Sequence, residues 1–109
     1  MAAPTGATER LAIRVSPSRP FAPANLVVRT TITADPRNRT IAVVAESSEY
    51  YRSSEIQLDG DKAPHTTVFE FRDVPSGQYD VSARLLGNSG VELGYALRRV
   101  YVADGGSRY

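Results

Sequence analysis

The chain has 109 residues, of which 41% are hydrophobic and 23% charged, and its formal net charge is +1. This size suits one globular domain, and the small charge argues against recruitment of nucleic acid or of an anionic membrane surface. Cysteine is absent, which excludes disulfides, thiol catalysis and cysteine metal ligands. The longest uninterrupted apolar run, Ile41 to Ala45, is far too short to span a bilayer, so no membrane insertion is expected.

The N-terminal part of the chain predicts a loose start followed by a strand and a connection. Residues 1–9 are small and polar, so we expect a flexible lead-in to a domain at residues 10–103, with a flexible tail at residues 104–109. LAIRV (11–15) alternates with period two and predicts a half-buried strand. SPSRPFAPA (16–24) holds three prolines, which exclude helix and interior strand, so we expect a connection that covers the end of a sheet.

Six further segments predict strands, because apolar and β-branched side chains recur in them with period two. They are LVVRTTIT (26–33), TIAVVAE (40–46), EIQLDG (55–60), HTTVFEFRDV (65–74), QYDVSARLL (78–86) and VELGYALRRVYV (91–102). GNSG (87–90) has the residues of a hairpin turn. Seven short strands without helical periodicity predict an all-β fold, an antiparallel β-sandwich.

The last of these segments contains a conflict in its apolar pattern. Tyr95 and Leu97 share one face of a regular strand, whereas Val100 and Val102 share the other. Because the side-chain period is two, one regular strand cannot bury both pairs on the same side. An extra residue between Leu97 and Arg99 would resolve the conflict, so we predict a β-bulge there, as suits an edge strand.

RDVPSGQYDV (72–81) combines a proline, a Ser-Gly turn and a tyrosine directly before an alternating run. Pro75 fixes its own φ, and Ser76-Gly77 completes a tight reversal. We expect this turn to carry the chain between two sheets, with Tyr79 pointing into the core and its hydroxyl bonded to the backbone around residues 73–75.

FEFRDVPSGQYDV (69–81) is similar to the F-x-x-L-P-x-G-x-Y-x-V signature of bacterial carboxypeptidase-regulatory-like and prealbumin-like domains. With its flanking strands it resembles the immunoglobulin-like and fibronectin type III-like superfamily. The resemblance implies a seven-stranded Ig-like sandwich, a tyrosine corner made by Tyr79, Pro75 and Gly77, and service as a spacer, adhesive or protein-binding module. The core cysteines and tryptophan of antibody domains are missing, and Val81 stands where the second cysteine would be.

Few residues suggest catalysis or metal binding. His65 is the only histidine, and no G-x-S-x-G motif supports a Ser-His-Asp triad. Asp59 and Asp61 could belong to a calcium loop, but the rest of an EF-hand pattern is missing, and DGDK (59–62) also fits a hairpin turn. We therefore predict no enzyme, no cofactor and no metal, and leave open whether the two aspartates bind a cation.

The candidate interaction surface consists of tyrosines and arginines from two segments: Tyr50, Tyr51, Arg52, Tyr95, Arg98, Arg99 and Tyr101. Both residue types are frequent at binding hot spots. One of two consecutive tyrosines in an extended chain normally faces outward, while the other can fill the core. Arg98 and Arg99 point opposite ways in a regular strand, and only a bulge would join them in one patch.

These observations favour a non-catalytic structural or protein-interaction module, with an unidentified protein partner or self-association. The resemblance suggests a bacterial exported or surface protein and so an extracytoplasmic location. One alternative is a carbohydrate-binding module that stacks sugars on Tyr50 or Tyr51, Tyr95 and Tyr101, which requires at least two coplanar exposed rings. Another is a subunit that assembles through its edge strands.

Overall fold

A computed structural model describes residues 10–105, so the predictions for residues 1–9 and 106–109 lie outside the described residues. Its strands are β1 (Leu11–Ser16), β2 (Ala24–Ile32), β3 (Thr40–Glu46), β4 (Tyr51–Gln57), β5 (Thr66–Val74), β6 (Gly77–Leu86) and β7 (Glu92–Val102). Two short 3₁₀ helices, Gly60–Lys62 and Asn88–Gly90, lie in connections. No helix in the described part is long and apolar enough to cross a membrane.

The seven strands form two antiparallel sheets that pack face to face. One sheet has the order β1-β2-β5 and the other β4-β3-β6-β7. Every strand pairing is antiparallel. The prediction of an all-β sandwich with seven strands is confirmed.

The core lies between the sheets, and each strand contributes about every second side chain to it. Leu26, Val28 and Ile32 of β2 are buried, and between them the hydroxyl of buried Thr30 donates to the carbonyl oxygen of Thr67 at 2.9 Å. The same alternation holds in β3, β5 and β6, as predicted: the buried residues there are Ile41, Val43, Ala45, Phe69, Phe71, Tyr79, Val81, Ala83 and Leu85.

The fourth strand begins four residues earlier than its apolar pattern predicts. Residues 51–54 are exposed, yet they pair in register with residues 43–46 of β3. Backbone pairing at the edge of a sheet does not need a buried side chain, and for that reason the periodicity missed it. DGDK (59–62) is not a hairpin turn, because β4 and β5 belong to different sheets and the segment carries the chain from one to the other.

The prediction of a bulge between Leu97 and Arg99 is wrong. Pairing of β7 with β6 is continuous from Gly94, opposite Leu85, to Val102, opposite Gly77. The register shifts earlier, where β7 places the additional residue Leu93 between the partners of Leu85 and Leu86.

The apolar conflict in β7 disappears once the strand is placed in the sheet. Ala96, Val100 and Val102 face the core and are buried, while Tyr95 and Leu97 lie on the outer face and are half-buried. The prediction failed because it assumed that apolar residues of β7 must all point inward. The outer face of this strand is itself partly apolar.

A second bulge lies at the end of β5, directly before the Pro75 turn. Ala24 and Leu26 of β2 are two residues apart, but their partners Val74 and Phe71 are three apart. The extra residue adopts a left-handed conformation at Asp73, with φ of 57°, and its N–H donates to Oδ1 of Asn25 at 3.2 Å. With this bulge, the side chain of Val74 lies in the core and the chain continues toward the other sheet.

Candidate functional site

The turn at residues 75–77 links β5 in one sheet to β6 in the other. The hydroxyl of buried Tyr79 donates to the carbonyl oxygen of Pro75 at 2.8 Å. Gly77 has a φ of 147°, a backbone conformation that residues with a Cβ rarely adopt. The ring of Tyr79 therefore fills the core while its hydroxyl satisfies a loop carbonyl.

Tyr50 is half-buried and packs against Tyr79. The two rings meet edge to face, with centroids 5.5 Å apart, and the guanidinium carbon of Arg52 lies 5.8 Å from the centroid of Tyr50. The hydroxyl of Tyr50 is buried without a hydrogen-bond partner among residues 10–105, and burial raises the pKa of Tyr50. Of the two consecutive tyrosines, Tyr50 thus lies against the core and Tyr51 is exposed.

The other predicted tyrosines share one face of the four-stranded sheet but stand far apart. By strand parity Tyr51, Tyr95 and Tyr101 all lie on the outer face. Tyr51 is on β4, three strand spacings or ~14 Å from β7, and six residues or ~20 Å of β7 separate Tyr95 from Tyr101. This arrangement does not supply the two adjacent, coplanar rings that carbohydrate stacking requires.

An open groove of about 730 Å³ runs beside β7. One wall is Val15 with residues 17–21, and the other is residues 97–101 with Ala103. Two backbone hydrogen bonds hold the walls together at one end, from the Ala22 N–H to the Ala103 carbonyl at 2.8 Å and from the Ala103 N–H to the Pro20 carbonyl at 3.0 Å. We call this feature the β7 groove.

The β7 groove brings together three of the predicted residues, Arg98, Arg99 and Tyr101. Because β7 is regular here, Arg98 extends on the core side of the sheet and Arg99 on the outer side. Nε of Arg99 lies 3.3 Å from Oδ1 of Asp80, so that charge is compensated. The predicted residues Tyr50, Tyr51, Arg52 and Tyr95 lie outside the groove.

Two residues of the groove were not predicted as site residues, Phe21 and Arg19. Phe21 is 66% exposed, comparable to Tyr101 at 59%. Among residues 10–105, neither Arg19 nor Arg98 forms an ion pair, and the groove lining contains three arginines and no acid. The sequence signal that could have indicated Phe21 is its position in a proline-rich connection, because a phenylalanine there is not explained by burial in a strand.

Two arginines outside the groove, Arg10 and Arg37, pair with the same aspartate. Asp35, in the β2–β3 connection, accepts from Arg10 and from Arg37 at 2.8 Å. The hydrogen bonds from Arg37 and then Arg10 hold the pKa of Asp35 well below its ordinary value. These bonds connect the β2–β3 connection to Arg10, directly before β1, and so stabilise the fold.

The residues considered for metal binding do not converge. No group of three or more His, Asp or Glu that could hold a metal occurs within residues 10–105. Nδ1 of His65 lies 3.1 Å from the carbonyl oxygen of Ile32, so the ring is engaged with the backbone of β2.

No protein-family model and no curated protein matches the chain. Among solved structures, the chain is similar to a family 76 glycoside hydrolase from a bovine Bacteroides thetaiotaomicron strain, with 16% sequence identity and a TM-score of 0.59. The match covers 91% of this chain and 20% of that chain. This chain therefore corresponds to about one fifth of the hydrolase, and at such low identity the likeness shows the fold alone.

The prediction that the chain is not an enzyme is corrected by this comparison. A chain that contains this fold is a glycoside hydrolase, so the β-sandwich and the missing catalytic motifs do not exclude an enzyme. The likeness assigns no activity to this chain.

Proposed function

We propose that the chain is an Ig-like domain of the fibronectin type III-like kind, with a tyrosine corner at Tyr79. The strand orders β1-β2-β5 and β4-β3-β6-β7 support this class. So does the 2.8 Å bond from the Tyr79 hydroxyl to Pro75, because a tyrosine corner bonds a core tyrosine to backbone a few residues upstream.

We further propose that the domain is a protein-binding module and that the β7 groove is its binding surface. The observation that carries this proposal is the combination of exposed aromatic rings, Phe21 and Tyr101, with two arginines that lack ion-pair partners in the described part of the chain. Aromatic residues and arginine dominate the energetics of protein interfaces. Both types line a concave surface, and a concave surface buries more of a partner than a flat one.

Folding alone does not account for these side chains. An exposed ring adds little to core burial, and an unpaired surface arginine adds little to stability. Binding would bury the rings and compensate the charges. The glycoside hydrolase that shares the fold is about five times longer than its matched part, which is compatible with a sandwich module that works beside other domains.

Carbohydrate binding by the tyrosines is the weaker candidate. The likeness to a glycoside hydrolase would favour it, but Tyr51, Tyr95 and Tyr101 are separated by ~14–20 Å. A bacterial source and an extracytoplasmic location stay predictions.

Site-directed photocrosslinking tests the binding surface. A photoreactive amino acid replaces Tyr101 in one variant and Tyr51 in a control, since the two side chains are almost equally exposed, at 59% and 61%. In an extract of the source cells, the Tyr101 variant should yield a discrete crosslinked protein that excess unmodified chain competes away. The same product at both positions, or none at Tyr101, would overturn the proposal.

A further inference from the structure

The edge of β7 that faces away from β6 carries backbone groups that have no partner within residues 10–105. Ala103 directs both its N–H and its carbonyl toward residues 20–22, away from β6. Pairing of β7 is regular from Gly94 to Val102, so a period of two places the N–H and carbonyl groups of Leu97, Arg99 and Tyr101 on the same edge. Within residues 10–105, hydrogen bonds cross this edge only at Ala103.

We propose that the β7 groove binds an extended, acidic polypeptide segment, which adds to the edge of β7 as a further strand along residues 97–101. This inference rests on the proposed function and names the partner of the same site.

The geometry of the groove favours an extended segment over a helix or a loop. Donors and acceptors without a partner among the described residues recur at every second residue over ~13 Å of β7, and this is the spacing that an added strand satisfies. Residues 20–22 already bond to Ala103 in a parallel bridge at Phe21, so the edge accepts a neighbouring strand at its end. An added segment would continue along the same edge where residues 17–19 move away from it to form the opposite wall.

The charge of the groove favours acidic side chains in that segment. Arg19 and Arg98 stand on opposite walls, and the lining offers them no carboxylate. An acidic residue in the added strand would pair with either guanidinium in a partly desolvated setting, where charge-assisted hydrogen bonds are strong. Apolar residues at alternate positions would contact Phe21 and Tyr101.

The same charges argue against a second copy of this chain as the occupant. Pairing of β7 with β7 of another molecule would bring Arg98 and Arg99 of both copies to one interface. Like charges on directly paired strands are destabilising, and Asp80 already compensates only Arg99.

Selection from a display library of random 12-residue peptides on the full chain tests the inference. We expect enriched peptides that alternate Asp or Glu with β-branched or aromatic residues. The variant Arg19→Glu/Arg98→Glu should weaken binding of such a peptide by roughly tenfold or more. The control Arg14→Glu/Arg29→Glu makes the same change in net charge on the outer face of the other sheet, where the two residues are paired across β1 and β2, and should leave the affinity within about twofold.

A second measurement uses the unmodified chain and so does not depend on how the variants fold. Two methylated forms of the selected peptide are compared, one with methyl groups on the odd-numbered backbone nitrogens and one with methyl groups on the even-numbered ones. One form should lose binding and the other should keep it, because only one set of amides faces β7. Failure to enrich any peptide, enrichment of basic peptides, or equal binding of both methylated forms would overturn the inference.

The two proposals fail in different ways. Crosslinking at Tyr101 together with indifference to methylation would leave the groove as the binding surface and remove strand addition. Absence of crosslinking and of peptide enrichment would remove both.

Discussion

The Pro75 turn and the β7 groove both combine prolines with aromatic rings, but the rings are placed in opposite ways. At the Pro75 turn the ring of Tyr79 is buried and its hydroxyl bonds to Pro75. In the groove Phe21 and Tyr101 are exposed, and Arg19 and Arg98 have no ion-pair partner among the described residues. The difference indicates that Tyr79 stabilises the fold, and under our proposal the groove keeps its side chains available for another molecule.

Truncation of the rings should give the largest difference in stability between the two regions. Tyr79→Ala removes a fully buried ring and should lower the free energy of unfolding by ~3–5 kcal/mol. Tyr101→Ala removes an exposed ring and should change it by no more than ~0.5 kcal/mol. Chemical denaturation of both variants measures the two values, and a comparable loss for Tyr101→Ala would contradict the division.

Removal of single hydroxyls should show how much the hydrogen bond of Tyr79 contributes to stability. Tyr79→Phe loses the bond to Pro75 and should cost ~1 kcal/mol. Tyr50→Phe removes a buried hydroxyl that lacks a partner in residues 10–105, so it should be neutral or stabilise by up to ~1 kcal/mol. Thermal and chemical unfolding measure both changes. A clear loss in Tyr50→Phe would show that its hydroxyl is in fact satisfied.

The smallest expected effect concerns Arg10 and Arg37, which are paired, in contrast to Arg19 and Arg98 of the groove. The folded state lowers the pKa of Asp35 below its ordinary value of 3.8. The resulting stabilisation is fully present above that value and is lost as the pH falls from it toward the lower pKa of the folded state. Asp35→Asn should therefore lower the melting temperature at pH 7, and the deficit should shrink below about pH 4.

Calorimetry over this pH range, with Asp61→Asn as the control, measures the effect. Asp61 is exposed, and its replacement should give a small difference that does not follow this pH dependence. A deficit for Asp35→Asn that stays constant down to pH 2 would show that the ion pairs with Arg10 and Arg37 are not its cause.

Local alternation was enough to predict most of the fold. β2, β3, β5 and β6 bury the residues that period two selects, and RDVPSGQYDV predicts the crossover between the sheets. The start of β4 escaped because residues 51–54 are paired by their backbone and bury no side chain. The bulge of β7 was misplaced because Tyr95 and Leu97 were assigned to the core, whereas they lie on a partly apolar outer face.

The groove could be predicted only in part. Arg98, Arg99 and Tyr101 were recognised by residue type, but Phe21 and Arg19 lie about 80 residues away in sequence and join them through tertiary packing alone. Whether an arginine has an ion-pair partner also depends on distances between strands. Arg99 lies beside Asp80, whereas Arg98 has no ion-pair partner in the part of the chain that the structure describes.

Amide hydrogen exchange along β7 tests the central claim most directly. In the chain alone, the amides of Leu97, Arg99 and Tyr101 should exchange faster than those of Arg98 and Val100, which bond to β6. Addition of a peptide selected from the library should slow the first three by roughly tenfold or more and leave the edge of β4 unchanged. Protection on β4 with no change at residues 97, 99 and 101 would contradict the assignment of the β7 groove as the binding surface.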